Sequence, residues 1–556
     1  MSTRFSLRTA LHDFRLDELG IAYVLLLGAA CFQVVLAASP LRILVAHVLS
    51  NDDAYYYFRV SRSLAATGVA TFDGLHETNG VQLLWAGVLA VLARFVEDET
   101  LYLRAALALS VALNLVAGIG LGRLGLSLHS KTLGATAIVL WSGMMINGRA
   151  TLSGMEFPLH MAVIVACSAI GCTAWRQPEQ LGLRGMVAGL VLLSLNAWVR
   201  LDSALFSVVV WLALARASGR WPAGERRRAA TALLFVLPIA AAGAYTATSW
   251  WLGGTVTPIS GAVKALYADR HFSGWGPWVA VGGHGFWWVS ILTRTALAIV
   301  HPRLATAVQL QNPLFLAGGI VATASLVAAI LCVAAPPLGE RDRWLSRALL
   351  ILMAVGAVHA GVVAFLIGPF SHVVSRYYGW LTLSFVLAVG LLVARSRPRP
   401  QIFALACAAL LISWLPSARR MLVDPSPNGL NVRRQELAER IRRDLPPDAR
   451  VGAWNAGQLG YFCGRTVVNL DGLANDGEFL AFLRSQRPIR EYLDREGIEY
   501  LADYDDSDLS MRFRERWDRS RWFRGSIEWS DLEILYSDSA PARRLYLARL
   551  VPRRSE

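Results

Sequence analysis

Charged side chains are scarce in this chain: Asp, Glu, Lys and Arg make up 17% of 556 residues, and of the 54 basic residues two, Lys131 and Lys264, are lysine. A soluble protein of this size carries nearer a quarter charged residues, so a fully solvated globular fold is excluded. Cysteine is also thin, with six residues far apart, five of them (Cys31, Cys167, Cys172, Cys332, Cys407) in apolar stretches and Cys463 near the end. That spacing excludes a disulfide framework and a Cys/His metal site, and leaves buried free thiols. There is no internal repeat, no low-complexity tract and no short signal peptide with a small-residue cleavage site, so the first apolar segment is expected to remain as an anchor.

What is present is apolar length. Hydrophobic residues make up 55% of the chain, and the mean hydropathy is +0.42. Runs such as 21–38, 314–335 and 348–368 approach or reach the ~20 residues a helix needs to cross hydrocarbon. Candidate spans fall at 21–39, 80–96, 101–121, 132–147, 158–175, 183–199, 203–218, 230–252, 312–335, 347–368, 377–395 and 401–416. The net charge of +14 sits in short connections, Arg216 to Arg228, Arg341 to Arg347 and Arg395 to Arg399, which marks those loops as cytoplasmic and argues against a nucleic-acid partner. Twelve crossings clash with that charge pattern by one. Either 80–121 crosses once or a further span lies within 276–300, so an odd number of transmembrane helices, 11 or 13, is expected. The loops 40–79, 148–157, 199–203, 253–311 and 369–376, and the tail, then share the extracytoplasmic side.

Residues 1–420 therefore read as a polytopic α-helical membrane domain. At DPSPNG the character changes, and 421–556 reads as a small extracytoplasmic α/β domain, with β-like runs RVGAW, TVVNL, EYLADY and RLYLARLV between helical patterns. Within it, 454–475 has strand, glycine turn, short helix and strand, but lacks the GxGxxG order of a nucleotide site.

The chemistry concentrates in NDDAYYYFRVSRS, residues 51–63. As a helix from 52, it places Asp52, Tyr55, Tyr56, Arg59 and Ser63 on one face and Asp53, Tyr57 and Val60 on the next. The tyrosines suit a helix lying in the headgroup zone with wet hydroxyls. Asn51 or Asp52 can serve as its N-cap, and that leaves a second acid to explain. Paired carboxylates in a partly desolvated site can supply a general base. Downstream, Asp73, His76, Glu77, Thr78 and Asn79 precede the next span, with a turn and a helix cap as the structural alternative to binding.

The run DDAYYYFRVSRSLAATGVATFDGLHETNGVQLLW resembles the first external loop of the GT-C superfamily of membrane glycosyltransferases, particularly the branch with mycobacterial arabinofuranosyltransferases and bacterial relatives. SGMEFPL (153–159), RLDS (200–203), TPISGAVKA (257–265) and SRYYGW (375–380) resemble family elements in the same order. The resemblance implies a GT-C fold with juxtamembrane helices in the first loop. It implies transfer of a sugar, with inversion, from a polyprenyl-phosphate carrier to a hydroxyl of a cell-envelope glycan, lipid or protein acceptor, on the outer face of a bacterial plasma membrane. The base is then Asp52 or Asp53, with Asp52 preferred because relatives with an Asp-Glu pair use the first acid.

Donor-phosphate candidates are Arg59, Lys264, Arg376, Tyr377 and His372. Substrate candidates are Tyr56, His76, Asn79, Glu156, Arg200 and Asp202, with Asn455 and Asp471 as further tail candidates for acceptor recognition or a lid. Each cation also has a structural role open to it, snorkelling to the interface or pairing, as Arg200 can with Asp202. Asp52, Asp53 and Asp73 can be drawn as a divalent-metal site, but three scattered carboxylates favour none, and no cofactor is expected beyond the lipid-linked sugar substrate. The rival classes are a polytopic lipid or sugar transporter or flippase, and an inactive envelope scaffold. Transporters place ionisable groups at mid-membrane on broken helices, whereas these acids stand in loops.

Overall fold

The computed structural model describes residues 17–128, 130–146, 151–272, 340–367, 379–423, 429–505, 527, 531–538 and 544–551. Among them, nine helices are long and apolar enough to cross a membrane. The first, Glu18–Ala38, starts where the Asp17 carboxylate accepts from the Gly20 amide at 2.9 Å. The others are Glu99–Ser127, Phe157–Arg176, Pro178–Val199, Leu201–Gly219, Glu225–Gly253, Ser346–Val363, Gly379–Ser396 and Pro400–Leu422.

Two further apolar helices are shorter, Leu83–Ala93 and Lys131–Ile146. At 1.5 Å per residue an 11-residue helix is about 16 Å long, half the ~30 Å of hydrocarbon. The 83–93 helix is thus too short to span alone, and the 80–121 region holds one helix of spanning length instead of two. The candidate spans 312–335 and 276–300 lie outside the described residues.

Inside the bundle, polar side chains tie helices together. Gln33 donates to the Met145 carbonyl and the Thr151 hydroxyl, both at 3.0 Å. Asn114 donates to Gln33 (3.0 Å) and to the Thr151 carbonyl (2.8 Å), and Trp141 donates to the Asn114 carbonyl (2.9 Å). In an apolar interior each of these groups needs a partner, so the network locks the chain entering the 151–156 turn against the first helix.

The helix Asp52–Thr67 lies between the first two bundle helices in sequence. Its cap is Asn51, whose side chain accepts from the Asp53 amide at 3.2 Å, and it stops at Gly68, which has φ +78°. The cap is therefore neither of the two acids.

The tail folds as a five-stranded sheet in the order β2-β1-β3-β5-β4, with β1 Arg450–Ala453, β2 Thr466–Asn469, β3 Tyr500–Asp505, β4 Leu532–Ser537 and β5 Arg544–Leu550. β1 pairs parallel with β2 and β3, and β5 pairs antiparallel with β3 and β4. The four expected strands are present, and β4, whose Glu533, Ile534 and Leu535 are all exposed, carried no alternating signal. The helical stretch 477–497 is split at Pro488 into Gly477–Ser485 and Ile489–Arg495.

One expectation for the first loop is corrected. Tyr55, Tyr56 and Tyr57 are 0%, 4% and 6% exposed, so this helix does not lie with wet hydroxyls in a headgroup zone. The tail covers it: Tyr55 packs on Tyr461 and Phe462, with ring centroids at 5.7 and 5.5 Å.

Candidate active site beneath the tail domain

The two adjacent acids part company because successive helical residues point about 100° apart. Asp52 faces the tail. Its two oxygens accept from the backbone amides of Gly457 (2.8 Å) and Gln458 (2.9 Å), the first turn of the helix Ala456–Phe462, and Arg434 lies 3.8 Å away. A carboxylate on the positive end of a helix is a favourable charge-assisted contact. The approach is close: a Cβ added at Gly457 would lie 2.2 Å from the Asp52 carbonyl oxygen, so only glycine fits there.

Asp53 instead lines a cavity of about 440 Å³, within the range of small-molecule sites. Tyr56, Glu156, Arg200, Asp202 and Lys264 line the same cavity. These residues are separated by up to two hundred positions in sequence. Four connecting segments and the tail therefore converge on one space.

Another wall is the start of the helix Ile259–Phe272: Thr257 and Pro258 just before it, and Ser260, Gly261, Ala262 and Lys264 within it, border the cavity. Ser260 and Lys264 are four residues apart and so share a face. A helix N-terminus with an ammonium one turn along suits a phosphate. Asn79 sets where this helix begins: its carbonyl oxygen accepts from the Ile259 amide at 2.9 Å, and its amide nitrogen lies within 2.8–3.3 Å of Ser249, Thr255 and Thr257 oxygens. Asn79 is fully buried and acts as a staple between the first loop and the 253–259 turn.

Arg200 is 2% exposed and held by its fork. Nε and Nη2 donate to Asp202 at 3.0 and 2.7 Å, and Nη1 donates to Glu156. Glu156 sits just before the Phe157–Arg176 helix and is 1% exposed. A buried charge survives only when paired, and here one guanidinium orients two carboxylates at the cavity wall. His359 adds its ring nitrogen 3.6 Å from Asp202, and the neighbouring Ser203 hydroxyl meets His160 Nε2 at 2.6 Å. Neither histidine carried a sequence signal beyond its apolar surroundings.

Other candidates lie outside the cavity. Arg59 donates to the Phe72 carbonyl at 3.3 Å and shapes the first loop. Asp73 accepts from Thr71, Leu75 and His76 in a tight local turn. Its second oxygen meets His76 Nδ1 at 2.7 Å, and His76 Nε2 reaches Glu496 of the tail at 3.2 Å. Burial depresses the His76 pKa, but the Asp73 hydrogen bond and the charges of Asp73, Asp476 and Glu496 outweigh it and raise it to about 9. Asn455 is turned to Asp503, to which its side chain donates at 2.9 Å. Among the described residues, no group of three His, Cys, Asp or Glu side chains is placed to hold a metal ion. Arg376, Tyr377 and His372 lie outside the described residues.

Comparison with known proteins agrees with this architecture. A family described as a domain of unknown function (DUF8728) matches residues 428–544. No curated protein matches the sequence. Among solved structures, the apo oligosaccharyltransferase of Archaeoglobus fulgidus is similar with a TM-score of 0.51 at 13% identity, covering 94% of this chain and 74% of that one. The same enzyme tethered to an acceptor peptide containing the NVT sequon gives 0.50 at 11% identity, with the same coverage. Its complex with Zn and sulfate gives 0.50 at 12%, covering 94% and 72%. At such identities the likeness is one of fold alone: the chain shares the overall fold of that oligosaccharyltransferase over 94% of its own length.

Proposed function

We propose that the protein is an inverting glycosyltransferase that moves a sugar from a polyprenyl-phosphate carrier to an acceptor hydroxyl. The reading places the reaction at the outer face of a bacterial plasma membrane, in cell-envelope glycan assembly, as in the arabinofuranosyltransferase-like branch. One observation carries it: Asp53 and Lys264, from elements two hundred residues apart, line one cavity on the side where the tail docks. Acyl, redox or transport chemistry would not need a carboxylate and a phosphate-compatible helix end bordering the same space.

In this mechanism the acceptor oxygen attacks the anomeric carbon of the donor and its proton passes to Asp53. The bond from that carbon to the phosphate oxygen breaks, and the electron pair leaves with the lipid phosphate. The added negative charge is neutralised by Lys264 and by the positive end of the 259–272 helix dipole. General-base assistance of this kind is worth about 10²–10⁴ in rate. Asp53 takes the base role in place of Asp52, because both Asp52 oxygens are occupied by tail amides. Glu156 and Asp202, held by Arg200, act as acceptors for sugar hydroxyls, and Arg200 orients them in place of binding phosphate. The Archaeoglobus relative accepts a peptide; for this chain the acceptor is a hydroxyl-bearing glycan, lipid or protein.

The test supplies purified full-length protein with a panel of polyprenyl-phosphate sugars and measures transfer and hydrolysis. At least one donor should be consumed, and Asp53→Asn should lower turnover by about 10²-fold or more. Wild-type rates in Asp53→Asn would remove the base assignment, and absence of donor turnover or binding across the panel would remove the enzyme reading. Because Lys264 is assigned the phosphate charge, excess chelator should leave transfer intact. Loss of activity restored by Mg²⁺ or Mn²⁺ would overturn that assignment.

A further inference from the structure

The tail loop 469–475, NLDGLAN, runs from the end of β2 to the Gly477–Ser485 helix, and its contacts reach both walls of the cavity. On one side Asn469, fully buried, donates to the Tyr56 hydroxyl at 2.9 Å. Tyr56 is three residues after Asp53, within one turn of the same helix. On the other side the Tyr267 hydroxyl donates to the Asp471 carbonyl. Tyr267 is three residues after Lys264 on the 259–272 helix. Between the two, Leu473 lines the cavity, and a Cβ added at Gly80 would lie 1.9 Å from the Leu473 carbonyl oxygen.

The loop is stiff enough to transmit position. Asn469 Oδ1 accepts from the Ala474 amide (3.1 Å), Asp471 Oδ1 accepts from the Leu473 amide (2.8 Å), and Asn475 donates to the Asn469 carbonyl (2.9 Å). Gly472 turns it with φ +79°. Burial, offset in part by the Leu473 amide and reinforced by the charge of Asp53, raises the Asp471 carboxyl to about 8, which reports the nearness of the loop to the base. The Asn79 staple already fixes where the 259–272 helix begins, and the tail loop grips it further along, beside Lys264.

We infer that the 469–475 loop is a brace that sets the separation of the base helix from the phosphate-binding helix, with Asn469 and Tyr267 as positioning residues. The inference rests on the glycosyltransferase reading above. An error of about 1 Å in reacting geometry costs up to about 10²-fold in rate, so the grip of two hydroxyls matters to turnover more than to folding.

The experiment compares wild type, Tyr267→Phe and Gly80→Ala as full-length purified protein. Tyr267→Phe removes one hydroxyl, and Gly80→Ala sets a methyl against the Leu473 carbonyl oxygen, with the Thr78 hydroxyl 3.2 Å away, and wedges the loop outward without removing a side-chain hydrogen bond. Three readouts are taken: hydrogen exchange of 469–475, kcat and KM for the donor, and the unfolding midpoint. Faster exchange in the loop, kcat lower by about tenfold, donor KM within about twofold and a nearly unchanged midpoint support the brace. Wild-type kcat in both variants, with or without faster exchange, overturns it and leaves the glycosyltransferase reading standing. A wild-type protein that turns over no donor overturns that reading, and the brace with it.

Discussion

Replacing Asp52 by asparagine tests the division of labour between the two acids. In the structure each Asp52 oxygen accepts one amide, Gly457 at 2.8 Å and Gln458 at 2.9 Å, with Arg434 at 3.8 Å. Asparagine keeps one acceptor and turns an NH₂ group toward the other amide, so one charge-assisted bond is lost, worth about 1.5–3 kcal/mol. The charge on the helix terminus is lost as well, worth a further ~0.3–1 kcal/mol. Together these come to roughly 2–4 kcal/mol, or about 30- to 900-fold in the population of a locally opened tail. Hydrogen exchange over 456–463 in the full-length protein reads that population directly. Asp52→Asn should speed exchange there by that factor, while Asp53→Asn, whose side chain borders the cavity, should leave it at the wild-type rate. Unchanged protection in Asp52→Asn, or equal acceleration in both variants, would refute the assignment of Asp52 as the clasp of the tail.

Other perturbations follow from the same geometry. Lys264→Met removes the cavity ammonium and should raise donor KM and lower kcat together, by about 10²-fold or more in kcat/KM, with hydrolysis and transfer equally affected; a change confined to the acceptor KM would place Lys264 elsewhere in the reaction. The His76 clasp has a defined pH signature. Its pKa is raised from 6.5 to about 9 in the folded protein, so its stabilisation is fully present below pH 6.5 and is lost as pH rises toward 9, about 3 kcal/mol in all. Tail protection measured by hydrogen exchange should fall across that window in wild type and lose that slope in His76→Gln; the same slope in both proteins would show that another group is responsible.

Much of the architecture was legible before any coordinates. Apolar length placed the bundle helices, and the N-cap of the first-loop helix was narrowed to Asn51 or Asp52, of which the structure uses Asn51. The tail strands were legible as β-like runs except β4, an edge strand in which Glu533, Ile534 and Leu535 are all exposed. Helical spacing also put Asp52 and Asp53 on different faces. Their roles were not legible, because the partners that separate them, Gly457 and Gln458, lie four hundred residues away. Asn79 looked like a substrate ligand or a helix cap and is a staple between loops. His76 was a substrate candidate and meets Asp73 and, in the tail, Glu496. A polar side chain beside a membrane span carries the same local signature whether it meets a ligand or another loop.

The order of residues alone determined that this chain carries helices long and apolar enough to cross a membrane and ends in an α/β unit, because hydropathy acts through composition and local spacing. Which acid faces the cavity, which cation accompanies it and what the tail touches were set by long-range docking of the tail onto the first loop. Contacts such as Asp52 with Gly457 and Tyr267 with Asp471 depend on shape complementarity between distant segments, and no local pattern encodes that.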